Sequence, residues 1–122
     1  ELVSFEDDEY ELKGRTIVGF RYRNERHAIT TWKDMLIQVG KLIYNENPSS
    51  MVYLATKNNN LYEKDSEGRS KIADNCYVYS ACSTNIKRSI LSYIFKGCNI
   101  PASVLEFELV PISENIIENE EL

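Results

Sequence analysis

Residues 15–43 read RTIVGFRYRNERHAITTWKDMLIQVGKLI, and the change of hydrophobic period inside this stretch decides the fold class. Up to Arg23 the chain alternates. Thr16, Val18, Phe20 and Tyr22 fall on one face of an extended segment, and Arg15, Ile17, Gly19, Arg21 and Arg23 fall on the other. The β-branched and aromatic content favours a half-buried strand, here with a basic outer face. Asn24-Glu25-Arg26 reads as a hairpin loop that returns through a short strand at His27–Thr30. From Thr31 the period becomes helical. Thr31 with Asp34 three residues later is an N-cap pattern, since the hydroxyl accepts from a free amide and the carboxylate opposes the helix dipole. Trp32, Met35, Leu36, Val39, Leu42 and Ile43 then form one apolar stripe, opposite Lys33, Asp34, Gln38 and Lys41. Gly40 inside this helix implies a close approach to the sheet, because glycine costs roughly 1 kcal/mol against alanine there. The helix is expected to end before Asn47-Pro48.

Outward from this stretch the pattern repeats. Cys76 to Ala81 reads as a strand, and a second helix is expected from Ser83 or Thr84, with Ile86, Ile90, Tyr93 and Ile94 on its apolar arc. Gly97 stands where a left-handed C-cap is wanted, with Pro101 beyond it. Val104 to Val110 alternates as a strand, Leu105, Phe107 and Leu109 facing one way and Glu106 and Glu108 the other. Between Pro48 and Asn75 the pattern weakens to a helical turn or strand at Met51–Leu54, an Asn58–Asn60 turn, a brief strand at Leu61–Glu63 and a polar loop at Asp65–Ser70. The expected fold is α+β, a mostly antiparallel sheet with two amphipathic helices packed on one face.

A chain of 122 residues, 43% hydrophobic and 11% aromatic, suits one domain. Residues 1–12 read as an acidic N-terminal arm or linker, 13–112 as the domain and 113–122 as an acidic C-terminal tail. Leu2, Val3, Phe5 and Tyr10 give the arm side chains with which to dock. No apolar run reaches the ~18–20 residues that cross a bilayer, and the first residues are acidic where a signal peptide is basic and then apolar. Three cysteines without CxxC spacing fit neither a disulfide framework nor a zinc site. A cytoplasmic location, reduced thiols and no membrane partner are therefore expected.

The net charge of -5 conceals an asymmetry. Ten of the 19 acids lie in the two ends, which leaves nine against all 14 bases, so the body carries +5. Acidic ends solvate a chain, and they can also shield a basic face until a competing anion displaces them.

Catalytic chemistry finds little support. His27 is the only histidine, with no carboxylate or thiol recognisably paired to it. There is no GxGxxG or GxxxxGK[ST] phosphate loop, so no cofactor is expected. Glu11-Leu12-Lys13 has the E-x-K spacing of metal-dependent nucleases but lacks a recognisable upstream aspartate. Binding fits better. Arg21, Arg23 and Arg26 cluster on one strand and its loop, and guanidinium groups suit phosphates and guanine edges. Lys87 and Arg88 lie in the first turn of the second helix, where the dipole disfavours cations unless an anion binds, and Asn85 adds a polar contact. The opposing reading is a solvated strand face paired with Glu106 or Glu108.

The run Ile17-Val18-Gly19-Phe20-Arg21-Tyr22, then Ile29 to Leu36 and later Tyr77-Val78-Tyr79-Ser80 leading into Ser83-Thr84-Asn85-Ile86, resembles a small domain of undefined function in bacterial restriction and phage-defence proteins. That domain is usually appended to larger effectors, and the resemblance covers about residues 13–110. It implies an accessory module for target recognition or assembly and transfers no catalytic residue. The expected function is thus a non-catalytic domain that binds DNA or RNA, or recognises a target, through the arginines and the start of the second helix. The alternative is an interaction or oligomerisation module that docks another subunit or the rest of a longer chain.

Overall fold

The computed structural model describes residues 1–111, so Ile112 and the acidic tail at 113–122 lie outside the described residues. The architecture is α+β, with two antiparallel sheets and three helices. The first sheet contains β1 (Leu2–Ser4), β2 (Ile17–Tyr22), β3 (Glu25–Ala28) and β7 (Leu105–Leu109), in the order β1-β7-β2-β3. The second contains β4 (Leu61–Tyr62), β5 (Arg69–Ala73) and β6 (Cys76–Tyr79), in the order β4-β6-β5. The helices are α1 (Trp32–Glu46), α2 (Pro48–Ala55) and α3 (Thr84–Gly97), and a single 3-10 turn, Ala102–Val104, leads into β7.

Local chemistry explains the boundaries. Thr31 accepts from the Asp34 amide at 3.0 Å and starts α1, and Ser83 does the same for Ile86 at the start of α3. Asn47 closes α1 and caps α2, where Pro48 takes the first helical position and loses no hydrogen bond by lacking an N–H. On the first sheet Phe20, Tyr22, Leu105, Phe107 and Leu109 are buried on the helix side. The expected two helices on one sheet therefore become three helices and two sheets: α2, β4 and β5 come from the weakly patterned residues 48–75, and β6 is the strand read at Cys76 to Ala81.

Several positions depart from the alternation read in the sequence. A bulge between Ile17 and Gly19 shifts β2 against β7, so Ile17 turns into the core at 1% exposure while Val18 turns out at 37%. The β2–β3 turn is Arg23-Asn24, both with positive φ (51° and 68°), and β3 begins at Glu25, two residues earlier than expected. This two-residue turn with positive φ at both positions matches the right-handed twist of the paired strands, which a type I or II turn would splay. Residues 69–73, expected partly as loop, form β5, with Ile72 its one buried residue. Gly97 does not terminate α3 in a left-handed conformation. The chain continues to Cys98, and Asn99 takes the positive φ of 60°.

The two helical glycines serve contact. A Cβ on Gly40 would lie 2.7 Å from Ile72 Cδ1, so α1 meets β5 of the second sheet at that point. A Cβ on Gly97 would lie 2.7 Å from both Leu54 methyls, which sets the approach of α2 and α3. The arm also departs from a free linker: Leu2–Ser4 pairs with β7, and Val3, Phe5 and Leu12 are buried. Gly97→Ala is expected to destabilise the protein by about 1 kcal/mol in urea unfolding, overpacking of ~1–3 kcal/mol exceeding the ~1 kcal/mol gain in helix propensity. In a Leu54→Ala background, where the obstructing methyls are gone, the same change is expected to stabilise.

Candidate functional site

The outer face of the first sheet is built in rows, because residues paired across antiparallel strands share a face. One row runs Ser4, Glu106, Arg21, Arg26 and the next runs Leu2, Glu108, Gly19, Ala28. Arg26 reaches diagonally to Glu108, with NH2 at 2.7 Å and Nε at 2.9 Å. The pair lies across Gly19, where a Cβ would be 3.1 Å from the carboxylate and 3.2 Å from the guanidinium. The Arg26 hydrogen bond holds the Glu108 carboxyl below its ordinary value. Arg21 stands opposite Glu106 and makes no ion pair among the described residues. Two arginines and two glutamates thus share a face with no net charge.

Arg23 in the turn donates to Glu46, the last residue of α1, from NH2 at 2.8 Å and Nε at 3.1 Å. The hydroxyl of Tyr22, a buried side chain, donates to the same carboxylate. Burial, and then the neighbouring carboxylate, push the Tyr22 phenol above its ordinary range. Partial burial of Glu46 acts to raise its pKa, but the bonds from Arg23 and Tyr22 outweigh this and hold it below 4.5. The cluster ties the hairpin to the end of the helix.

The candidates on α3 face inward or rest against the arm. Lys87 is 6% exposed, and its Nζ donates to the Cys82 carbonyl at 2.5 Å. Arg88 donates to the Tyr10 carbonyl at 2.7 Å and also to the Asp7 carbonyl, fastening the arm to the helix. Asn85 is exposed in a shallow depression with Phe5, Asp8 and Arg88. Helix α3 packs chiefly on α1 and α2, away from the β2–β3 hairpin that carries the arginines, so the six predicted residues do not form one surface. Arg15, expected on the outer face of β2, is instead buried, with contacts to Glu1 (2.5 Å) and Tyr10 (2.5 Å).

No family model, curated protein or solved structure matches this chain. The chemistry must be read from the side chains alone. His27 stacks on Phe20 at 4.8 Å, with its Nε2 3.9 Å from Glu25. Glu11 accepts from the Lys13 amide at 2.8 Å, so the E-x-K carboxylate is engaged in its own turn. Burial pushes the Cys76 thiol up to about 11 and raises Cys98 and Cys82 as well, the last opposed by Lys87. Among the described residues no group of three or more His, Cys, Asp or Glu could hold a metal ion, and no helix is long and apolar enough to cross a membrane.

Two surface features escape the sequence reading. On the second sheet Tyr62, Tyr77 and Lys71 share one outward row, and Tyr79 and Arg69 share the next. Arg69 lies 3.5 Å over the Tyr62 ring and donates to the Lys64 carbonyl at 3.0 Å. On the first sheet a groove opens beside β3, between His27 and the Gln38, Lys41, Leu42 and Asn45 side chains of α1. Those four stand at i, i+3, i+4 and i+7 and share a helix face, although the sequence reading set Leu42 on the apolar stripe opposite Gln38 and Lys41; that β3 would lie next to them had no sequence signal.

Glu46→Gln is expected to cost about 0.5–1 kcal/mol in chemical denaturation at neutral pH, as befits a partly exposed ion pair. Folded Glu46 binds its proton less tightly than the unfolded chain does, so the wild-type advantage is complete above about pH 5 and fades as pH falls below the ordinary 4.5. Denaturation curves of both proteins between pH 7 and pH 3 (a range set by the glutamate titration) are expected to converge at the acid end.

Proposed function

We propose that this chain is a non-catalytic recognition domain that docks a protein partner, either another subunit or the rest of a longer chain. The observation that carries this reading is the internal engagement of the cations on which nucleic-acid binding would rest. Arg23 and Arg26 are paired with glutamates, and Lys87 and Arg88 are held by backbone carbonyls. A phosphate ligand would have to displace these contacts. The surface instead offers Tyr53 at 59% exposure beside Val52 on α2, and the edge of β3, which no strand pairs among the described residues. Exposed aromatic side chains and free strand edges are common docking elements. A cytoplasmic location and an accessory role beside a restriction or defence effector accord with the resemblance noted above, and both belong to this proposal.

A second reading, binding of DNA or RNA, draws on Arg21, which has no ion pair among the described residues, and on the Arg69, Lys71 and tyrosine rows of the second sheet. One experiment separates the two. The tagged domain is used for capture from the source cell extract with and without nuclease, alongside a direct salt series with DNA and RNA. The expected result is a stoichiometric protein that survives nuclease treatment, and no nucleic-acid binding at low salt. Salt-dependent binding that is weakened by Arg21→Ala together with Arg23→Ala would instead establish the second reading.

A further inference from the structure

β3 is the last strand of the first sheet, and nothing covers its outer edge among the described residues. The two-residue turn makes Tyr22 with Glu25, and Phe20 with His27, the pairs that exchange both backbone hydrogen bonds with β2. Arg26 and Ala28 therefore turn their N–H and C=O groups away from the sheet, and no other backbone group reaches them among the described residues. These four groups form a template for one more strand. A helix runs beside the template. Gln38, Lys41 and Asn45 are exposed on α1, Leu42 is half-buried between them, and the His27 ring, fixed by its stacking on Phe20, closes the near wall.

Resting on the protein-recognition reading above, we infer that β3 accepts an extended segment of another polypeptide as a fifth strand, and that the groove between β3 and α1 selects a carboxylate side chain on that segment. Alternation on the added strand gives the reason. Residues opposite Arg26 and Ala28 lie on the outer face, so the residue between them, opposite His27, points into the groove. There it meets the Lys41 ammonium, the His27 imidazole and the carboxamides of Gln38 and Asn45 over the apolar floor of Leu42. The Lys41 cation with three further hydrogen-bonding side chains complements one negative, acceptor-rich side chain. The nearby acid is Glu25, whose 79% exposed side chain is 3.9 Å from His27 and free to turn to solvent. Backbone bonds provide affinity in such strand addition and the pocket provides selectivity. The short, charged edge of β3 discourages indiscriminate pairing, so a docked strand needs the pocket contact as well.

The test is selection of a displayed random decapeptide library against the immobilised full chain, the wild type beside Ala28→Pro and Lys41→Glu. Proline at 28 removes an outward N–H and no bond to β2, and Lys41→Glu reverses the groove charge on an exposed helix position that leaves the fold intact. Wild type is expected to enrich Asp or Glu at one position flanked by β-branched residues. Synthesised winners should lose about tenfold in affinity to Ala28→Pro, the loss of one backbone hydrogen bond to the docked strand. Lys41→Glu should enrich Lys or Arg at the same position. Should Ala28→Pro fail to fold by circular dichroism, the charge reversal alone decides. Peptides without acidic enrichment, or peptides that bind Lys41→Glu as well as wild type, would overturn the groove while leaving protein recognition standing. No selected peptide, together with salt-dependent nucleic-acid binding, would overturn both.

Discussion

Phe107, on the inner face of β7, is where distant parts of the chain meet, and the remaining architecture depends on that meeting. Phe5 from the arm approaches its ring at 6.0 Å and 80°, and Trp32 from the start of α1 approaches at 5.2 Å and 78°. Phe95 near the end of α3 joins through Phe5 at 5.3 Å and 62°. Each edge-to-face contact contributes roughly 0.5–1.5 kcal/mol beyond burial of area, because the positive ring edge faces the negative ring centre. The indole N–H completes the arrangement by donating to the Arg15 carbonyl at 2.9 Å. A cluster drawing on residues 5, 32, 95 and 107 joins the sheet, two helices and the arm, so none of the four can be placed independently.

The same constraint governs the charges. With the arm held on the core by Phe5, its Asp7 and Tyr10 carbonyls come within reach of Arg88, and Glu1 comes within reach of Arg15. Closing the hairpin against α1 brings Arg23 to Glu46, and pairing β2 with both β3 and β7 brings Arg26 to Glu108. The six acids of the docked arm offset the five excess bases of the body, so a formal +5 for the body does not describe a positive surface. Ion pairs and backbone carbonyls compete with any external anion for these side chains, and they compete at fixed short distance without the entropic cost of association.

Much of the framework was legible in the residues. The stripe from Trp32 to Ile43, the hydroxyl caps Thr31 and Ser83, and the alternation of Leu105, Phe107 and Leu109 each reflect local geometry, which acts over a few residues and leaves a periodic trace. The misreadings have a common origin in contacts that are remote in sequence. Ile17 and Val18 exchange faces because β7 forces a bulge, Gly97 is small because Leu54 lies against it, and β5 forms with only Ile72 buried because β6 and α1 hold it. The candidate site was less legible still. Its side chains were visible as arginines and lysines, but the partners that engage them were not.

By itself the amino-acid order determined the α+β class, the positions of α1, α3 and β7, and the caps that begin the helices, because hydrophobic period and capping are short-range properties of the chain. Only the tertiary structure decided that Pro48–Ala55 forms a third helix, that β4 and β5 join β6 in a sheet of their own, that the arm becomes a strand, and which cations remain available at the surface. Those outcomes depend on groups that are far apart along the chain and become neighbours through packing, and no local pattern encodes such a distance.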